Sequence, residues 1–267
     1  MAIIRRHTAD TVEIAVAFRD LGTGDSLLIN AHVPMHAAST MKVPVMLELF
    51  RRGETSGALP VHNSFVSIAD GSSYSLSPGQ DSDTTLYGRI GQQVPVRELI
   101  DRMITRSSNL ATNLLIDVVG IDAVRKTLAD LNLDDGVEFR RGVEDERAFE
   151  RDISNRCTAD GMLRVLRAIE ERKAFSAEAS EQMLEILHAQ EFRSGIPAGL
   201  PEGAKVANKT GEISTVAHDA GIVYLPRRRP YALVVLTEWD KDRSSGRKDT
   251  IARISRAIYH HLAERGD

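Results

Sequence analysis

Ala37-Ala38-Ser39-Thr40-Met41-Lys42-Val43-Pro44-Val45-Met46-Leu47-Glu48-Leu49-Phe50 marks the point at which the chain changes its hydrophobic period. Val43, Met46, Leu47 and Phe50 fall on one stripe of a 3.6-residue helix. Pro44 suits that helix because it lies near the first turn, where its missing N–H costs nothing. Ahead of it, Val12, Ile14, Val16 and Phe18 alternate with smaller or polar residues over 11–18, the pattern of a half-buried strand. Gly22-Thr23-Gly24-Asp25 supplies turn chemistry, and residues 26–30 read as the returning strand of a hairpin.

On the other side, residues 53–93 are rich in Ser, Gly, Asp and Thr and read as surface loops. Helical periodicity returns over 96–105, 109–119, 122–131, 159–172 and 177–189, with a charged, irregular stretch over 140–155. From Lys205 the period is that of strands. Residues 222–225 and 231–237 flank a stiff basic turn, Pro226-Arg227-Arg228-Arg229-Pro230. A closing amphipathic helix carries Ile251, Ile254, Ile258 and Leu262. Strands, then helices, then strands and a helix predict an α+β fold, with an antiparallel sheet flanked by helices. One domain is expected, its sheet lobe from about 1–38 and 199–267 and an all-helical lobe inserted over about 39–198.

The 267 residues carry 34 Lys+Arg against 38 Asp+Glu, a net charge of −4. With mixed signs and no concentrated basic face, nucleic acid is not an expected partner. The basic 227–229 run is read as a solvated hairpin tip, and His260 and His261 as cations suiting a helix C-terminus. A single cysteine, Cys157, excludes an internal disulfide and a Cys-based metal cage, and is read as a small core residue. No stretch is long and apolar enough to span a bilayer, and Met1-Ala2-Ile3-Ile4-Arg5-Arg6-His7 has no secretory apolar region. The expectation is a soluble monomer without metal or cofactor. It would be cytoplasmic as it stands, or periplasmic or secreted if a signal has been removed.

Three short motifs carry chemistry. Ser39 and Lys42 are three residues apart on one helix face, with Ser39 at the positive N-terminal end. A lysine whose pKa is lowered by burial and a neighbouring cation can activate such a serine. The spacing alone is not specific, because Ser245-Gly246-Arg247-Lys248 repeats it in a polar segment read as solvated surface. Ser107-Ser108-Asn109 opens the 109–119 helix, either as a cap or as a proton relay plus an amide ligand. Lys209-Thr210-Gly211 sits in a strand-like run, where a glycine permits close backbone approach and Lys and Thr suit a carboxylate.

Taken in order, SxxK, SxN and KTG resemble the motif set of class A β-lactamases and penicillin-binding proteins. The resemblance extends over Pro34 to Pro44, Asn109 to Leu115 and Arg156-Cys157-Thr158-Ala159-Asp160-Gly161-Met162, covering about residues 11–262. It implies the two-lobe β-lactamase/transpeptidase-like fold. It also implies an acylated nucleophile at Ser39, its base at Lys42, a proton relay at Ser107 and a substrate-amide ligand at Asn109. Lys209 and Thr210 would hold the substrate carboxylate beside Gly211, and the N–H groups of Ser39 and Glu212 would form the oxyanion hole. The implied function is a serine β-lactamase acting on a small-molecule β-lactam. The alternatives are a penicillin-binding, D,D-peptidase-like or esterase activity on an acyl-peptide with slow deacylation, and a non-catalytic β-lactam sensor.

Three departures from the family pattern stand out. Ser108 occupies the place of an Asp in the second motif. The deacylating Glu of the omega loop has no direct counterpart, since ungapped counting from Asn155 places Gly142 there, which makes Glu144 the candidate. No Arg lies between Gly211 and Pro226 to assist the carboxylate. His218 falls near that place, either as a pH-dependent substitute or as a hydrogen-bonded strand histidine.

Overall fold

In the computed structural model, residues 12–239 and 246–264 are described. The opening segment Met1–His7, Thr11 and Ser245 lie outside them. Five strands form one antiparallel sheet: β1 (Val12–Asp20), β2 (Ser26–Ile29), β3 (Lys205–Ile213), β4 (Val216–Tyr224) and β5 (Tyr231–Trp239). Their spatial order is β3-β4-β5-β1-β2, so β1 pairs with β5 from the far end of the chain, Val12 opposite Trp239 and Asp20 opposite Tyr231.

β1 is buried on both faces, where its alternation predicts one. Ala15 and Ala17 face the larger core, while Ile14, Val16 and Phe18 face a second core. β4 begins six residues before the sequence pattern suggests, because His218 and Asp219 interrupt the apolar run yet are fully accommodated in the sheet.

Between the two groups of strands come α1 (Lys42–Arg52), α2 (Val96–Thr105), α3 (Asn109–Val119), α4 (Ile121–Asp130), α5 (Ala159–Glu170) and α6 (Ala177–His188). α2 to α6 each lie within two residues of their predicted bounds. Gly53 ends α1 in the left-handed conformation, as a C-terminal glycine should. Thr158 and Ser176 cap α5 and α6 through their hydroxyls. α5 and α7 (Arg247–Glu264) cover opposite faces of the sheet, Val165 and Ile169 in one core and Ile251 and Ile254 in the other. Lys248 is exposed, as the reading of the second SxxK copy has it, but it belongs to the start of an amphipathic helix and not to a polar loop. Residues 53–93 hold short strand pairs and 3₁₀ turns, and the irregular 140–155 stretch contains a five-residue helix, Glu146–Glu150. The Arg227–Arg229 hairpin tip is tied down through an Arg228–Asp20 ion pair.

Candidate active site

The site lies where the start of α1, the start of α3 and the edge strand β3 meet. Ser39 sits in a 3₁₀ turn, Ala38–Met41, that leads into α1. β3 runs very close to that turn: a Cβ at Gly211 would stand 3.1 Å from the Ser39 nitrogen and 3.2 Å from the Thr40 nitrogen. Only glycine admits this approach without displacing the turn.

One turn on, Lys42 is fully buried. Its ammonium donates to Ser107 O (2.7 Å), Ser107 Oγ (3.2 Å) and Asn109 Oδ1 (2.8 Å), three acceptors for three N–H bonds. Burial brings its pKa down to about 7, against the opposing pull of the Asp81 and Glu144 charges. Lys209 is equally buried and donates to Ser107 Oγ (3.0 Å) and Thr210 O (2.8 Å). Burial, and then the Lys42 charge, holds it well below the ordinary lysine range. Ser107 thus receives two amine donors on one hydroxyl oxygen, which leaves its own O–H to point elsewhere. It is held in the left-handed region at φ 57°, where a non-glycine residue is strained.

The start of α3 has two anchors. Ser108 is fully buried and caps the helix, its Oγ accepting from the Ala111 N–H (3.3 Å). The carboxylate that the second motif lacks comes from Asp81 instead. Asp81 accepts from the N–H groups of Asn109 (2.9 and 3.0 Å) and Leu110 (2.9 Å), and from the Tyr87 hydroxyl (3.1 Å). The negative charge meets the positive end of the helix. Nothing in the sequence around Asp81 marks it for this task, because its partner lies 28 residues on.

The omega-loop region is anchored by amides. Asn155 accepts from the N–H groups of Arg140 (2.7 Å) and Arg141 (3.0 Å) and donates to Arg141 O (2.9 Å). Asn113 clasps the N–H (2.8 Å) and C=O (3.0 Å) of Val143. A Cβ at Gly142 would stand 2.7 Å from the Tyr74 hydroxyl, so the position reached by ungapped counting has no room for a side chain. Glu144, at φ 57°, turns toward the site. It accepts from Asn109 Nδ2 (3.0 Å) and from the Ser77 N–H (3.0 Å). Lys42, Asn109 and Glu144 thereby form one hydrogen-bonded chain.

His218 is buried, and both ring nitrogens are engaged. Nδ1 accepts from the Thr237 N–H (3.1 Å), which leaves Nε2–H to donate to His36 O (2.8 Å). Burial lowers its pKa to about 4, so it is neutral near pH 7 and offers no cation to a carboxylate. The adjacent Asp219, fully buried, accepts from Asn208 Nδ2 (2.9 Å) and the Ile196 N–H (2.8 Å), tying the 194–196 segment to the sheet. Burial raises its pKa to about 6. Glu212, at the end of β3, pairs with Lys248 of α7 (2.7 Å).

Two clefts open from this cluster, and Ser39 borders both. One, of about 190 Å³, is lined by Ser39, Ser107, Thr210, Gly211, Glu212 and His218, among others. The other, of about 600 Å³, includes Lys42, Asn109, Arg141, Glu144 and Glu212. Cys157, fully buried, contacts the Thr40 hydroxyl (3.6 Å), and burial pushes its thiol up to about 12. Among the described residues, no cluster of His, Cys, Asp and Glu is arranged to hold a metal ion, and no helix is long and apolar enough to cross a membrane.

An antiparallel sheet flanked by helices, with the SxxK, SxN and KTG motifs at one junction, is a fold similar to that of class A β-lactamases and PBP-A. The chain belongs to the β-lactamase enzyme family, whose model matches residues 2–262. It is 27% identical to a β-lactamase of Bacteroides uniformis over 257 residues, covering 88% of this chain and 82% of that protein. The fold is similar to that of the class A β-lactamase of Mycobacterium abscessus, with a TM-score of 0.85, 21% identity and 98% of each chain covered. It is similar also to a mutant of PBP-A solved as an acyl-enzyme complex with penicillin G. There the TM-score is 0.82 and the identity 21%, with 98% of this chain and 95% of that one covered.

Proposed function

We propose that this β-lactamase-family hydrolase opens β-lactams through an ester on Ser39. The observation that carries the reading is the Ser107 hydroxyl held between the amines of Lys42 and Lys209 beside Ser39. With a pKa near 7, part of the Lys42 population is neutral at physiological pH and accepts the Ser39 proton. Ser39 Oγ bonds to the lactam carbonyl carbon, and the N–H groups of Ser39 and Glu212 receive the oxyanion. The C–N bond then breaks, and Ser107 passes a proton from Lys42 to the departing nitrogen. Lys209 and Thr210 hold the substrate carboxylate, and Asn109 retains a second amide hydrogen for the side-chain carbonyl.

Glu144 is the candidate base for the water that removes the acyl group. Both its oxygens already accept a hydrogen bond, one from Asn109 and one from Ser77, and that favours a second reading. In it, deacylation is slow and the protein behaves as a penicillin-binding, D,D-peptidase-like acyl carrier.

Intact-protein mass spectrometry with excess benzylpenicillin, following free drug in the same samples, tests both readings. Drug consumption with a transient adduct, abolished by Ser39→Ala, supports the lactamase. A persistent adduct with the drug left intact supports the slow acyl carrier. Neither adduct nor consumption overturns both.

A further inference from the structure

The larger cleft holds a charged side chain that the acylation chemistry does not use. Arg141 is 8% exposed, and among the described residues no carboxylate lies within ion-pair distance of it. One terminal nitrogen donates to Gly142 O (3.1 Å), while Nε has no partner. The carboxylate whose charge acts on it is Asp145, whose oxygens already accept from Ser67 Oγ (2.7 Å), the Ile68 N–H (3.0 Å) and the Ala148 N–H (3.1 Å). A buried cation with no carboxylate in direct contact and an unpartnered Nε is costly, and an anion reaching it from the cleft would relieve that cost.

His36 sharpens the point. Its Nδ1 accepts from the Ala38 N–H (3.0 Å), so the neutral ring carries its proton on Nε2. Burial, then the nearby Arg141 charge, lowers its pKa to about 4, so the ring is neutral near pH 7. That Nε2–H stands 3.4 Å from Arg141 Nη2, another donor. Two donors face each other with no acceptor between them. Phe149 walls this corner, its ring 6.2 Å from His36 and 5.5 Å from the guanidinium carbon. The other charges nearby are engaged or stand clear: Glu144 and Glu212 have the partners given above, Arg156 pairs with Asp152 (2.8 Å), and Glu146 is exposed. Arg141, His36 and Phe149 line the same cleft as Ser39, Lys42 and Asn109.

We propose that Arg141 and His36 form an anion subsite that takes a carboxylate carried on the acyl side chain of the substrate, an inference that rests on Ser39 being the acylated residue. Preferred substrates would then be acidic on both sides of the scissile bond, with Lys209 and Thr210 on one side and Arg141 on the other.

The test uses two penicillins of equal length, one with a glutaryl amide side chain and one with the methyl ester of that side-chain carboxyl. Titrated calorimetrically into Ser39→Ala, the acid is expected to bind at least about tenfold tighter than the ester. Arg141→Met in the same background should remove the preference, and Arg141→Lys should retain part of it. Equal affinities for acid and ester, or a preference that survives Arg141→Met, overturn the subsite. So does protection of Ser39→Ala against thermal unfolding by free glutarate as strong as by the glutaryl penicillin, which would assign the pair to a free anion. Adduct formation on the wild-type serine by either penicillin is scored separately. Its absence sinks the acyl-enzyme reading and with it the assignment of the carboxylate to an acyl side chain, while an acid preference on Ser39→Ala that Arg141→Met removes still upholds an anion site at Arg141.

Discussion

The two walls of the catalytic cleft are built differently. On one side, Ser39, Lys42, Ser107 and Lys209 are placed by a turn, helix starts and a sheet strand, and the Lys42 and Lys209 amines converge on the Ser107 hydroxyl. On the other, Glu144 and Arg141 sit in an irregular segment held by Asn113 and Asn155, with only five helical residues. Regular elements fix a constellation through many backbone bonds. A loop anchored by a few amide side chains fixes each residue through one or two. Under the proposed acylation of Ser39, the first wall supplies the rigid nucleophile and base, and the second leaves substrate range and the fate of the acyl group open to small changes.

The comparison breaks most sharply at Lys42. Lys42→Met should slow acylation by about 10²–10⁴-fold, the usual worth of a positioned base, as read by stopped-flow with a chromogenic cephalosporin. A change under tenfold would place the base elsewhere. Glu144→Gln should leave acylation within a few-fold and slow ester hydrolysis by about 10²-fold, so that an adduct accumulates in the mass spectrum. Unchanged turnover removes Glu144 from the mechanism.

A stability measurement sharpens the contrast from the rigid side. Asp81→Ala leaves the N–H groups of Asn109 and Leu110 without their carboxylate, and should cost about 2 kcal/mol in urea unfolding. A loss under about 0.5 kcal/mol would show that Ser108 suffices as the cap. The smallest effect concerns pH. Lys42 in the folded protein titrates near 7, below its ordinary value of 10.5, so the unfolded chain binds the extra proton between those values. Its contribution to stability therefore rises as pH increases from about 7 toward 10.5. Lys42→Met should flatten that rise when urea midpoints at pH 7 and 9 are compared. Acylation by the wild type should fall as pH drops below about 7, where the amine is protonated.

Much of this was legible in the sequence. The change of period at Val43, the helices over 96–105 and 109–119 and the strand flanking the basic turn follow from short-range spacing of apolar residues. The family resemblance carried by SxxK, SxN and KTG in order implies one site for Ser39, Lys42, Ser107, Asn109 and Lys209, and the structure sets these residues at one junction of two clefts. β4 shows where such reading stops. His218 and Asp219 lie ahead of the apolar run that marks the strand, yet each is buried within the sheet because distant backbone and amide groups satisfy it.

What the chain determined by itself was therefore local: which segments coil, which extend, and which short spacings place two functional groups on one face. Only the tertiary structure decided the rest. Asp81 on the start of α3, Glu144 on Asn109, Lys248 on Glu212 and His36 against Arg141 join residues 28, 35, 36 and 105 positions apart. Nothing in local periodicity ties such pairs together, since the partner of a buried polar group is chosen by what the packed fold brings within about 3 Å, not by its neighbours along the chain.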